Sequence, residues 1–366
     1  MSAHESPLFK SPPLAPPQHG ADIEAASARY GISSSDWLDL SAAINPCMYS
    51  FCAAPDHALR QLPYSLHAAQ EAAKTYCSAP VLPIFAAGSQ VLIQWLPLVH
   101  RNLHSGRRVA VPSIGYAEHA FRWQWAGYEI VSYDPRASEQ IDELLRNDAV
   151  DVLVVITPHN PLAHSIAPRQ LLAWHAALQR NNGWLVVDEA FVDSAPEISL
   201  ASIADMPGLI VLRSLGKFFG VAGARCGYAF CHSSIGEPLE TAIGPWPLST
   251  TTLSLATQAL RDGEWQRAMR KQLARWSAQN MELLASAAWA KAGKFYRHAL
   301  FNSIELPLQQ AAAVEDYFAR CAIRVRRIDI DVETALLRFG LVDPADAQNW
   351  LRLKDAIDSA ICLNAE

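Results

Sequence analysis

Residues 214–225 read Ser214-Leu215-Gly216-Lys217-Phe218-Phe219-Gly220-Val221-Ala222-Gly223-Ala224-Arg225, one lysine among small and aromatic neighbours, with a hydroxyl three positions before it and an arginine eight after. An amine activated by its surroundings attacks a carbonyl, and the planar fork of an arginine matches phosphate oxygens. Ser214, Lys217 and Arg225 are therefore suited to holding a phosphorylated aldehyde. Such a site needs two more parts upstream: an anion to face a protonated ring, and a cradle of backbone amides for the phosphate.

Both are present. Asp188 closes the apolar run Trp184-Leu185-Val186-Val187 that follows the Asn181-Asn182-Gly183 turn, which places its carboxylate at the C-terminal end of a buried strand. Gly88-Ser89 introduces Val91-Leu92-Ile93-Gln94-Trp95-Leu96, an apolar segment long enough for a helix, so the free N–H groups at its start can receive an anion. A further element, Ile156-Thr157-Pro158-His159-Asn160-Pro161, ends the apolar strand Val152-Leu153-Val154-Val155, and the Asn160 amide, held between two prolines, can donate to a phenolic oxygen. Each piece alone reads as a turn, a loop cap or a strand exit. In the order Gly88, Ser89, Asn160, Asp188, Ser214, Lys217, Arg225 they predict a site for pyridoxal 5'-phosphate, with Lys217 and Asp188 as the catalytic pair.

The elements that must position these residues follow from the apolar pattern. Short strands are expected at Arg108 to Pro112, Tyr128 to Tyr133, Val152 to Ile156, Trp184 to Asp188, Leu209 to Arg213 and Cys226 to Cys231, with helical stretches between several of them, such as Pro168 to Arg180. That alternation predicts an α/β fold with a mainly parallel sheet covered on both faces, and Asn160, Asp188 and the Lys217 loop all follow strand C-termini, the edge where such sheets bind ligands. The Pro-rich stretch Ser11 to Pro17 reads as an exposed arm. The division expected is an arm over 1–40 serving the small domain or a dimer contact, a cofactor-binding domain over 41–242, and a linking helix with a C-terminal α+β domain over 243–366.

Composition narrows the class further. The chain has 366 residues, 51% apolar and 18% charged, with a formal charge of −6. This mild acidity gives no reason to expect nucleic acid or an anionic membrane as partner. The apolar runs are too short to span a bilayer, and the seven cysteines form no C-x-x-C pair, so no metal site is expected and a cytoplasmic location is.

From about His19 to Arg338 the motif order resembles the fold-type I enzymes dependent on pyridoxal phosphate, in the branch of histidinol-phosphate aminotransferase and the threonine-phosphate decarboxylase of cobalamin biosynthesis. The resemblance implies a large domain with a seven-stranded-type sheet, a small α+β domain and a homodimer. His19-Gly20, Leu38-Asp39-Leu40-Ser41 with Asn45-Pro46, and Tyr116-Ala117-Glu118-His119 resemble the decarboxylase more than the aminotransferase. It implies that His119 stacks on the cofactor ring, with Tyr116 as the alternative, that Arg338 binds a substrate carboxylate, and that Asn45 and Arg326 meet the rest of the substrate. Gly216 and Phe191 depart from the hydroxyl residues that relatives carry there, and Leu62-Pro63-Tyr64 matches the usual cross-subunit tyrosine-proline pair imperfectly. The reaction implied is decarboxylation of L-threonine O-3-phosphate to (R)-1-aminopropan-2-yl phosphate; the alternative is a histidinol-phosphate aminotransferase.

Overall fold

The computed structural model describes residues 16–17, 20 and 22–360, so His19 and most of the Pro-rich arm lie outside the described residues. After β1 (Leu38–Asp39), the chain lays down β2 (Ile84–Ala86), β3 (Arg108–Pro112), β4 (Glu129–Tyr133), β5 (Val152–Ile156), β6 (Trp184–Asp188), β7 (Leu209–Ser214) and β8 (Gly227–Cys231). The last seven form a single sheet in the order β2-β8-β7-β6-β5-β3-β4. Its central members β5 and β6 are buried along their whole length, as uninterrupted apolar runs require when helices cover both faces. Two apolar clusters lie on opposite faces of it.

Two features of this sheet are not apparent from the chain. β2 is only three residues long and stops just before Gly88, too short to show a period. β8 runs antiparallel to both β7 and β2. Its direction follows from the connection: residues 215–226 hold only the short turn Ala222–Ala224, with no crossover helix of the length a parallel return needs. Lys217 and Arg225 consequently lie on one hairpin-like loop at the C-terminal edge.

The C-terminal region adds β9 (Lys294–His298), β10 (Phe301–Pro307), β11 (Ile323–Arg324), β12 (Arg326–Asp329) and β13 (Thr334–Gly340). Four of these make an antiparallel sheet ordered β12-β13-β10-β9, packed over its own apolar cluster. The sequence reads 322–327 as one alternating strand, yet it is split at the fully buried Val325: β11 pairs in parallel with β1, whereas β12 pairs with β13. Arg324 and Arg326 therefore belong to different sheets. Among the described residues no helix is long and apolar enough to cross a membrane.

Behind the edge that carries Asp188 lies a buried ionic knot. Arg213, 1% exposed, reaches Glu189 Oε2 at 3.5 Å and also pairs with Asp193, whose Oδ1 accepts from Tyr76 Oη at 2.9 Å. Arg270, on the long helix Gly263–Ala285, donates to the Asp193 carbonyl at 2.7 Å and ties that helix to the sheet. Arg213→Ala strands two carboxylates in the core, so a loss of about 3–5 kcal/mol is expected in a chemical denaturation curve. A midpoint equal to that of the parent would contradict the knot's contribution.

Candidate active site

Lys217 enters the site because its loop is clamped from the N-terminal side. Asn45 N–H donates to the Lys217 carbonyl at 3.0 Å, Asn45 Nδ2 to the Phe218 carbonyl at 2.7 Å, and Tyr49 N–H to the Phe219 carbonyl at 2.8 Å. The amine Nζ donates to the Ala42 carbonyl at 3.2 Å and stands 5.7 Å from the centre of the Phe191 ring. Burial, and then the cations of Arg338 and Arg225, pull its pKa down to about 8, while Asp188 and Asp39 oppose the shift. A lysine with that pKa carries a sizeable neutral, nucleophilic fraction near neutrality.

The phosphate end is built by close backbone approach. Gly88 has φ +88°, and a Cβ there would lie 2.5 Å from Arg225 Nη2, so the exposed guanidinium rests directly on the start of the helix Ser89–Leu103. Gly227, the register partner of Ser214, lets the amide of Ser89 pack onto β8, since a Cβ at 227 would meet Ser89 N at 2.2 Å. Gly88, Ser89, Ser214 and Arg225 are thereby brought together, and a helix N-terminus with an arginine beside it favours an anion.

At the ring end the structure reassigns one residue. The family resemblance lays His119 flat on the cofactor ring, but His119 is 2% exposed and its Nε2 lies 2.9 Å from Asp188 Oδ2. A carboxylate only accepts, so Nε2 carries the proton and donates it to that oxygen. The other Asp188 oxygen accepts from Ala190 N–H at 3.0 Å, and together these bonds fix the carboxylate at the end of β6. The aromatic ring on the cavity wall is Tyr116. Tyr116 stands just before the helix Glu118–Trp125 and His119 in its first turn, an offset of three too small to resolve along the chain.

Arg338 joins three separate segments. It is 8% exposed; Nη1 donates to Asn160 Oδ1 at 2.5 Å, Nη2 donates to the Ser41 carbonyl, and Nε finds no hydrogen-bond partner among the described residues. The bond from Arg338 to Asn160 Oδ1 fixes which end of that amide remains to donate, namely Nδ2. Arg326 is the direct cross-strand partner of Arg338, and two like charges in that position repel unless an anion lies between them. Burial and Arg326 lower the Arg338 pKa to about 10, which leaves it charged. Ser41 is not singled out by the sequence, because its contribution is a backbone carbonyl, which leaves no mark in residue type.

Asn45 also departs from expectation. It is 3% exposed, with Nδ2 on Phe218 and Oδ1 accepting from Cys47 N–H at 2.9 Å, so its amide is committed to the lysine loop and does not face a substrate. The neighbouring Ala42 and Ile44 line the cavity in its place.

Lys217, Asn160, Tyr116, Arg326 and Arg338 share one cavity of about 440 Å³, with Asp188 close enough to Lys217 to oppose the lowering of its pKa. A buried amine, a fixed carboxylate, an amide donor and a glycine cradle under an arginine fit pyridoxal 5'-phosphate, and the arginine pair with its unpartnered Nε leaves room for an anionic substrate. If the Lys217 amine titrates near 8, its rate of capture of added pyridoxal 5'-phosphate by the cofactor-free protein should rise with pH and level off above about pH 8.5. Stopped-flow absorbance that continues to climb towards pH 10, as for an ordinary lysine of pKa about 10.4, would contradict this.

Comparison with known proteins agrees with this geometry. Residues 56–351 match the family described as aminotransferase class I and II. The threonine-phosphate decarboxylase of Pseudomonas aeruginosa is 42% identical over 93% of this chain and 97% of its own length. A histidinol-phosphate aminotransferase of Yersinia pseudotuberculosis is 31% identical, but over 56% of this chain and 48% of its own. Among solved structures, histidinol-phosphate aminotransferase from Sinorhizobium meliloti in complex with pyridoxal-5'-phosphate superposes with a TM-score of 0.75 at 20% identity, covering 98% of this chain and 99% of that one, a likeness of fold. With its mixed seven-stranded sheet and the lysine loop at the sheet's C-terminal edge, the chain belongs to the class I and II aminotransferase family.

Proposed function

We propose that this chain uses pyridoxal 5'-phosphate to decarboxylate L-threonine O-3-phosphate, giving carbon dioxide and (R)-1-aminopropan-2-yl phosphate for cobalamin biosynthesis. The observation that carries the choice is the 42% identity to a threonine-phosphate decarboxylase over 93% of this chain, against a 31% identity to a histidinol-phosphate aminotransferase that spans 56% of it. The site is in keeping with it: a small amino acid with a carboxylate at one end and a phosphate at the other suits the facing pair Arg338 and Arg326.

The cofactor, when bound, supplies a conjugated sink for the electron pair left on the substrate Cα. Gly88, Ser89, Ser214 and Arg225 would hold its phosphate, Asn160 Nδ2 would donate to its phenolic oxygen, and Tyr116 would cover its ring. Asp188, steadied by His119, would keep a proton on the ring nitrogen. Arg338 would hold the substrate carboxylate and so fix which bond at Cα is presented for cleavage. Arg326 draws the phosphate end towards the small sheet. Lys217 Nζ then returns a proton to Cα after carbon dioxide has left.

A homodimer completes this reading. Beyond Arg225 lies a second cavity of about 650 Å³ walled by Met48, Phe51, Val221 and Leu248, so Arg225 is shared between the phosphate cradle and an apolar opening. Met48, Leu62, Tyr64 and Trp246 are 62%, 55%, 79% and 42% exposed, an apolar surface that a two-fold partner would cover. The division into 1–40, 41–242 and 243–366 and a cytoplasmic location belong to the same proposal.

Holoenzyme given phosphothreonine should release carbon dioxide and an amine phosphate with no keto acid present. Turnover of histidinol phosphate that depends on 2-oxoglutarate, without carbon dioxide from phosphothreonine, would make it an aminotransferase instead. Asp188→Asn should retain the cofactor yet lower kcat by roughly 100-fold or more, since the carboxylate stabilises charge that develops on the ring only during the reaction. An unchanged kcat at saturating cofactor would remove Asp188 from the mechanism.

A further inference from the structure

Tyr116 faces the cavity, and the plane its ring offers depends on χ1 and on what holds its far end. Its Oη donates to Gln90 Oε1 at 2.9 Å. The Gln90 Nε2 in turn donates to Glu118 Oε2, and that same oxygen accepts from Arg122 Nε at 2.8 Å. Glu118 is 3% exposed, which keeps water from competing for the middle of this chain of bonds.

The polarity of the chain is dictated by its members. A carboxylate only accepts, so the Gln90 amide must turn its nitrogen to Glu118 and its oxygen to Tyr116, and the phenol must be the donor. Burial, with Glu118 and Asp188 near, raises the Tyr116 pKa to about 12, which keeps that proton in place. A glutamate at 90 would repel Glu118, and an apolar side chain would satisfy neither neighbour.

Gln90 is also the second residue of the helix Ser89–Leu103, whose start is the phosphate cradle. Its side chain thus spans from the element that anchors the phosphate to the ring that faces the pyridine. We propose that Gln90 is a positioning residue, locking the plane of Tyr116 against the cofactor and coupling that plane to the phosphate cradle; the inference rests on the pyridoxal-phosphate reading above.

The test compares the holoenzyme with Gln90→Met, Tyr116→Phe and the double variant, reading the visible circular dichroism of the bound cofactor and the rate of its release on dilution. Each single variant should weaken the visible dichroism and speed release about 5-fold, the scale of one hydrogen bond removed. The double variant should be no worse than Gln90→Met, because the bond lost in Tyr116→Phe is already lost there. Parental dichroism and release in Gln90→Met, or additive effects in the double variant, would overturn the inference while leaving the cofactor assignment intact. A parent protein that develops no visible band with pyridoxal 5'-phosphate would instead bring down the cofactor assignment and the inference with it. Tyr116→Phe keeps the ring and approaches the bond from its other end, so a poorly folded Gln90→Met still leaves a decisive reading: an unchanged release rate in Tyr116→Phe overturns the proposal.

Discussion

A lysine amine kept out of water beside two guanidinium groups is the constraint around which the rest of this molecule is arranged. Burial and the cations of Arg338 and Arg225 all favour loss of the ammonium proton, and the shift to about 8 leaves part of the Lys217 amine neutral near neutral pH. Such an environment opposes folding, because isolated charge in a low dielectric is costly. The surrounding chain compensates with fixed dipoles and counter-charges: the Ala42 carbonyl on the amine, Asp188 at the end of β6, and the clamp of Asn45 on the loop backbone.

The second dependence is geometric. Asn160 comes from the exit of β5 and Ser41 from the stretch after β1, and the guanidinium of Arg338 reaches both from β13. A residue that ties the small sheet to the edge of the large one makes the cavity sensitive to how the two sit against each other. Phe191 and Phe301, 5.4 Å apart edge to face, reinforce the same junction beneath Lys217 and Arg338. The cavity wall and the placement of the two sheets are therefore linked through Arg338, whose Nε has no partner among the described residues.

Much of the candidate site is legible in the chain because its chemistry resides in residue type. Lys217 with its flanking hydroxyl and arginine, Asp188 closing an apolar run, and Gly88-Ser89 before a helix each carry a local reason for their positions, and their order along the chain states the cofactor class. The strands β5 and β6 are visible for a similar reason, since fully buried parallel strands are continuous apolar runs. What is illegible depends on contacts between distant segments. Whether Tyr116 or His119 lies on the cavity wall turns on how the chain enters the helix Glu118–Trp125, with Tyr116 just before it and His119 in its first turn; Asn45 is spent on the backbone of Lys217 and Phe218, far along the chain; β2 and the reversed β8 are defined by partners and connection length, not by period.

The sequence by itself determined the α/β plan, the lysine and its supporting cofactor set, because side-chain chemistry and apolar periodicity are local properties. Only the tertiary structure decided which imidazole backs Asp188, which aromatic ring faces the cavity, that Arg326 stands opposite Arg338, and that Gln90 ties the start of the helix Ser89–Leu103 to Tyr116. Those are questions of direction and register between elements, and they are settled by packing, hydrogen-bond satisfaction and sheet pairing across the whole fold.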